Sequence, residues 1–201
     1  MKKKEIISSF QIGSSQLLKI NNYLEMLKEY NLHTNLVGRS TLKNPWKSHI
    51  LDSLQLLNFV ISKKLSILDM GSGAGLPGIP LSILGSHNVT LVDSNGKKTK
   101  FLNKVKENLG LKINIIQGRV ENLPDLSFDI ITSRALSNLD TLLTYSQQLV
   151  KKNTLLVFLK GKTVNDEIIF AQKNWIIDYK KFQSISDDRG SVLIIKKFKK
   201  K

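Results

Sequence analysis

Ile67-Leu68-Asp69-Met70-Gly71-Ser72-Gly73-Ala74-Gly75-Leu76-Pro77-Gly78-Ile79-Pro80 decides how the rest of the chain is read. A short apolar run ends in an acid, and four glycines follow. Ile79, Leu81, Ile83 and Leu84 then open a helix. The pattern predicts strand, tight turn and helix, the nucleotide-binding unit of a doubly wound α/β sheet. Glycine serves such a turn because it adopts positive φ without strain and lets a ligand approach bare backbone.

Gly73-x-Gly75-x-x-Gly78 taken alone would suit a dinucleotide. The more telling register is Asp69-x-Gly71-x-Gly73-x-Gly75, an acid two residues before three alternating glycines. A carboxylate at the turn repels a pyrophosphate and suits a cationic ligand. This register resembles the first motif of methyltransferases that use S-adenosylmethionine (SAM), a ligand with an ammonium and a sulfonium. A glycine-rich turn with no ligand is the plainer alternative.

At 201 residues the chain is expected to form one domain. Residues 1–62 read as a helical extension packed on a SAM-binding core of 63–201. No apolar run reaches the length of a membrane span. Lys2-Lys3-Lys4 is not followed by a signal-peptide core. The absence of Cys excludes disulfides, thiolate zinc sites and a cysteine nucleophile. A cytoplasmic protein with no membrane partner and no metal site is expected. The net charge of +15 favours a polyanion, most simply nucleic acid. Of the 31 basic residues only Arg39, Arg119, Arg134 and Arg189 are arginines, so a drift toward Lys supplies part of that charge. Each Arg is correspondingly more informative.

Outward from the glycines, alternating periods predict the remaining elements. Residues 1–10 read as a basic lead-in. Ser14 or Ser15 would cap a helix to about Tyr30, with Leu17, Ile20, Leu24 and Leu27 inward. Asn44-Pro45 starts a second helix with Trp46, Ile50, Leu54, Leu57 and Ile61 on its apolar face. His49 and Asp52 lie off that face, and local hydrogen bonding is the reading for both. Strands follow at 88–93, 111–117, 128–133 and 154–160, and helices at about 97–109, 139–149 and 164–173. Two long strands at 175–185 and 191–198 flank an Asp187–Gly190 hairpin loop. The sum is α/β: a mostly parallel seven-stranded sheet with one antiparallel strand, a C-terminal hairpin and N-terminal helices. Asp93 ends the second strand about twenty residues past the glycines, where a carboxylate can bind ribose hydroxyls or cap the next helix.

The glycine stretch with Leu76-Pro77-Gly78-Ile79-Pro80-Leu81 is similar to that of the bacterial small-subunit rRNA guanine-N7 methyltransferases, the RsmG (GidB) family. Asn35-Leu36, His49-Ile50-Leu51-Asp52-Ser53, Leu91-Val92-Asp93-Ser94, Arg119-Val120-Glu121, Ile131-Thr132-Ser133-Arg134-Ala135 and Leu159-Lys160-Gly161 resemble its other segments. The resemblance runs from about Leu17 to Ile195. It implies a Rossmann-like, SAM-dependent enzyme that methylates N7 of a guanine, position 527, in 16S ribosomal RNA of the small subunit. Together with the acid-and-glycine register and the second-strand acid, it implies a SAM site of Asp69, Gly71, Gly73, Gly75, Leu76, Asp93, Val120, Glu121 and Arg134, with Gly71 and Leu76 lining the pocket and Val120 and Glu121 at the adenine. Arg134 and Lys160 would face the methyl group and the target base as catalytic residues. A monomer is expected. Met70 and the hairpin loop depart from the family pattern, and neither is expected to touch the chemistry.

The residues exclude neighbouring chemistries independently. Pyrimidine C5 methylation needs a cysteine nucleophile. Exocyclic-amine methylation uses an Asn/Asp-Pro-Pro-aromatic motif, where this chain has Ser133-Arg134-Ala135-Leu136. Guanine N7 is an in-plane lone pair and needs no base. Two other classes stay open at this point: a SAM-dependent methyltransferase for another RNA, a protein or a small molecule, and a non-catalytic nucleotide-binding Rossmann protein.

Overall fold

The computed structural model describes residues 1–60, 64–85, 87–124 and 126–201. Seven strands form one sheet: β1 (Ser66–Met70), β2 (Asn88–Asp93), β3 (Ile113–Gln117), β4 (Phe128–Arg134), β5 (Val150–Lys160), β6 (Trp175–Gln183) and β7 (Ser191–Lys200). Their order is β3-β2-β1-β4-β5-β7-β6. The first five run parallel. β7 is antiparallel to both β5 and β6, so it is the single reversed strand, as the sequence led us to expect. Chain order reverses between β1 and β4. At such a switch point the following loops part and leave a crevice beyond the carboxyl ends.

Strand residues alternate between two apolar layers, the period-2 signature of a sheet covered on both faces. Ile67 packs into one layer with Ile6, Ile20, Leu27, Ile79 and Phe101. Leu68 and Met70 pack into the other with Leu142, Phe158, Ile168 and Trp175. The N-terminal helices therefore contribute to the same core that covers one face of the sheet.

The helices are α1 (Lys3–Ser9), α2 (Ser14–Tyr30), α3 (Asp52–Leu54), α4 (Gly78–Leu84), α5 (Gly96–Leu109), α6 (Leu139–Ser146) and α7 (Val164–Asn174). α5 is the most fully specified locally. Asn95 caps it by accepting from Lys97 N and Lys98 N, and Gly110 closes it in the left-handed conformation. Asp93 is therefore not the cap of this helix. α2 buries Ile20, Tyr23 and Leu27 at helical spacing. Its cap position is Gly13, not a serine, and Gln16 Oε1 accepts the Gly13 N–H at 2.9 Å.

Several expectations are corrected. The basic lead-in contains α1, anchored by the buried Ile6. The helix expected from Asn44 is wound unevenly: π-helical over Trp46–Leu51, α over α3 and 3-10 over Gln55–Asn58. Its expected last apolar residue, Ile61, lies outside the described residues, as does the 62/63 boundary. β5 begins earlier than expected, at Val150, where Phe128 pairs with it. Leu149 falls beyond α6, and β6 stops at Gln183. Residues 120–122 form a 3-10 turn inside the expected loop.

Candidate active site

The glycine turn follows β1, and its conformation is what the spacing required. Gly71, Gly73 and Gly75 have φ of 65°, 55° and 87°. The turn is fastened from three directions. Asp69 Oδ2 accepts from Gly78 N at 2.9 Å, closing the loop onto the start of α4. Asp93 Oδ2 accepts from Gly73 N at 2.8 Å, while Oδ1 accepts from Asn95 N at 2.8 Å. Tyr23, buried in α2, donates its hydroxyl to Ala74 O at 2.9 Å. The sequence reading did not name Tyr23, which shares the buried face of α2 with Ile20 and Leu27. Burial raises its pKa, so the phenol remains a donor.

Arg134 ends β4, one residue beyond Ser133, which pairs with Met70. It therefore stands across the switch point from the glycines. Residues of the uneven helix hold it there. Its Nη1 bonds the Ser48 carbonyl at 3.1 Å and Asp52 Oδ2 at 2.9 Å, and its Nη2 lies 3.0 Å from His49 Nδ1. His49 and Asp52 are thus not engaged only locally, as the sequence suggested. Asp52 also links Arg134 to the C-terminal hairpin. Its Oδ1 accepts from Ser186 Oγ at 2.5 Å and from Gln55 Nε2 at 3.0 Å. Gln55 in turn donates to Ser184 Oγ and accepts from Ile185 N. The hairpin loop, expected to stay clear of the chemistry, supports Arg134 through Asp52.

Two cavities meet at Arg134. The smaller, about 260 Å³, is lined by Gly71, Gly73, Leu76, Lys98, His49 and Arg134 among others. The larger, about 620 Å³, is lined by Arg134, Lys160, Lys47, Ser186, Asp188 and Arg189 among others. Of the residues singled out from sequence, Gly71, Gly73, Leu76 and Arg134 converge on the smaller cavity. Asp69 lies fully buried behind the turn, and Gly75 packs against Ile79. Asp93, Val120 and Glu121 do not line either cavity. Asp93 and Val120 are buried beside the turn and Glu121 is exposed. Lys160 reaches only the larger cavity. Its Nζ donates to Ser137 O at 2.8 Å and pairs with Glu167 Oε2 at 2.6 Å, so it also fastens the loop after β4. Leu136, in that loop, covers Gly71: a Cβ added there would stand 2.5 Å from Leu136 Cδ1.

Two buried groups make stability depend on pH in opposite senses. Burial and then Arg134 hold His49 down to about 3. The unfolded chain binds that proton below the ordinary value of 6.5, so this contribution is complete above 6.5 and is lost as pH falls toward 3. Burial pushes Asp69 up to about 7, and its Oδ1 has no hydrogen-bond partner among the described residues. Its contribution is complete below the unfolded value of 3.8 and is lost as pH rises through 7. Between roughly pH 4 and 6.5 the two offset. His49→Asn removes one side of that balance. Relative to the parent, this variant is expected to lose stability as pH rises through the window, by at most about 1.4 kcal/mol per pH unit. Urea midpoints at a series of pH values measure this; parallel curves for the two proteins would contradict it.

Comparison with known proteins bears on the family and the fold. The family model for rRNA small subunit methyltransferase G (GidB) matches residues 16–192. The ribosomal RNA small subunit methyltransferase G of Orientia tsutsugamushi (strain Ikeda) is 39% identical over 188 residues, covering 94% of each chain. Among solved structures, a ribosomal protein L11 methylase from Lactobacillus delbrueckii subsp. bulgaricus superposes with a TM-score of 0.61 at 19% identity, covering 72% of this chain and 76% of that one. A mutant of MtNAS in complex with S-adenosylmethionine superposes with a TM-score of 0.59 at 18% identity, covering 90% of this chain and 76% of that one. At such identities the structural likeness bears on the fold.

Proposed function

The chain belongs to the GidB family, rRNA small subunit methyltransferase G, and from that premise we propose that it transfers the methyl group of SAM to N7 of a guanine in 16S ribosomal RNA. The observation that carries the reading is the placement of Arg134. β4 delivers it to the switch point, and it stands on the wall shared by the glycine-turn cavity and the larger one. The net charge of +15 suits an RNA partner. The small ribosomal subunit is the partner, and a cytoplasmic monomer is the working form.

The glycine-turn cavity suits the methionine end of SAM, with the ribose and adenine continuing beyond it over Asp93, Val120 and Glu121. At Gly73 an added Cβ would meet nothing nearer than 3.9 Å, so the backbone is open to a ligand. Gly71, Gly73, Gly75 and Leu76 would form the cradle, with Asp69 holding the turn closed from behind. Lys98 and Arg134 offer cations for the ligand's carboxylate. Asp93 would meet the ribose: each of its oxygens already takes one backbone N–H and retains a lone pair for a hydroxyl. Val120 and Glu121, on the turn beside β3, would flank the adenine. Asp93→Ala is expected to weaken SAM binding by about 1–3 kcal/mol, because it also orphans the Gly73 and Asn95 amides. Calorimetry on the folded variant measures this, and an unchanged affinity would remove Asp93 from the site.

SAM supplies an electrophilic methyl group on a sulfonium. Guanine N7 presents an in-plane lone pair, so the chain need not remove a proton. Among the described residues, no side chain at the shared wall is placed to do so. The His49 ring already has both nitrogens engaged, and Arg134 only donates. Catalysis then rests on alignment, which can supply roughly 7–11 kcal/mol of a barrier. A guanidinium bidentate to O6 and N7 is the commonest reading of guanine, but it would block the nucleophile. Arg134 therefore grips O6, a phosphate or the SAM carboxylate and leaves N7 free. Lys160, fixed beside it at the end of β5, lines the cavity that takes the base. The single-turnover rate is expected to stay nearly flat from mildly acidic to mildly basic pH. A steep log-linear rise would show that a base is required.

The direct test is to map N7-methylguanine in small-subunit RNA from cells with and without this protein, alongside methylation of total protein. Loss of one N7-methylguanine on deletion is the expected result. Methyl transfer confined to protein or to small molecules would overturn the reading.

A further inference from the structure

Donor counting fixes every hydrogen in the chain of groups behind Arg134. A guanidinium has no acceptor, so His49 Nδ1 accepts from Nη2. The single ring proton is then on Nε2, which lies 2.9 Å from Thr41 Oγ1 and donates to it. The Thr41 hydroxyl passes its own hydrogen to Gly38 O at 2.6 Å. His49 is completely buried, and Thr41 faces both cavities. Arg134 carries five N–H groups. Ser48, Asp52 and His49 take three of them. Among the described residues the Nε–H and one Nη2–H remain for a ligand.

We propose that His49 is a positioning residue for methyl transfer: by accepting from Arg134 at Nδ1 while donating to Thr41 at Nε2, it fixes the plane of the guanidinium and selects which two donors face the ligands. Asp52 and the Ser48 carbonyl hold one nitrogen, which leaves the plane free to rock about that anchor. The His49 bond to the second nitrogen removes this freedom. The inference rests on the reading of Arg134 as the group at the reacting centre.

Two near-isosteric variants separate positioning from packing. An Asn oxygen falls close to the place of a His Nδ1, and a Gln amide close to that of Nε2. His49→Asn keeps the acceptor for Arg134, whereas His49→Gln keeps only the partner for Thr41. Both lose the ring, so a purely structural role lowers both together. The single-turnover rate is expected to fall about 10- to 100-fold in His49→Gln, the scale of a misplacement near 1 Å. It should recover most of the way in His49→Asn, with the KM for SAM moving less than kcat in both. Equal rates in the two variants, high or low, would overturn the proposal. A second readout needs no activity. The Arg134 Nη resonances should be resolved in the parent and in His49→Asn, and averaged by rotation in His49→Gln. Averaged resonances in the parent would overturn the proposal even in an active enzyme. Resolved resonances in an inactive parent would overturn the proposed function instead.

Discussion

Replacing Arg134 by alanine is expected to reduce methyl transfer by at least about 100-fold, the effect of removing one preorganised charge from a site that works by alignment. The same change leaves Asp52 without its ion-pair partner, and burial already raises that carboxyl's pKa. Truncating one member of a sheltered pair costs several kcal/mol, up to about 3–5 when both are fully buried. The Arg134–Asp52 pair is partly exposed, at 20% and 18% of side-chain area, so the cost here is smaller. Arg134→Lys separates the two effects. A lysine keeps a cation beside Asp52 but cannot reproduce the planar fork that bonds Ser48, Asp52 and His49 together. It is expected to fold like the parent, by urea midpoint, and still to lose most of the single-turnover rate. A lysine variant with parental rates would show that charge alone suffices, and the alignment argument would fall.

The second large effect is expected at Gly75. Its φ of 87° is costly for any residue with a side chain. An added Cβ would stand 2.3 Å from Ile79 Cγ1 and 3.0 Å from Leu102 Cδ2, so Ile79 on α4 must move and the Leu102 side chain must give slightly to admit it. Backbone strain of about 1–2 kcal/mol and overpacking of about 1–3 kcal/mol act together in Gly75→Ala. A loss of roughly 2–5 kcal/mol in unfolding free energy is expected. Gly73→Ala makes the informative contrast. It shares the positive φ, yet its Cβ would enter open space on the cavity wall. It should lose less stability than Gly75→Ala and more SAM affinity. Gly118→Ala, with nothing within 4 Å, is the neutral control. Denaturation and SAM titration of the three variants check the ranking. Equal stability losses at Gly73 and Gly75 would show that the close contact at Gly75 carries no weight.

The sequence by itself determined what local chemistry determines. The left-handed turn was legible because only glycine tolerates that backbone cheaply, and three glycines alternated behind one acid. α5 was legible because its stripe of Phe101, Leu102, Val105 and Leu109 repeats at helical spacing. β1, β2 and β4 were legible because each is a short, largely apolar run bounded by turn residues, whereas the Lys-rich start of β5 carries no such run. Alternation of these units, together with the rule that parallel connections need helices, gave the sheet class. The cradle residues followed from the glycine register. What only the tertiary structure decided are the partners that no period announces. Arg134 meets His49 from 85 residues away, and Gln55 meets Ile185 from 130. Asp69 was placed at the ligand from its charge, but it is fully buried and holds Gly78 N instead. Lys160 was placed at the methyl group, but it spends two donors on Ser137 and Glu167. Tyr23 was not singled out from the sequence, yet its hydroxyl fastens the turn. A hydrogen bond between distant residues leaves no repeat in the sequence. It exists because strand order brings β4 beside β1 and because the N-terminal helices cover the crevice. The clamp on Arg134 is therefore a property of the packed molecule, built from side chains whose local context suggested only ordinary polar positions.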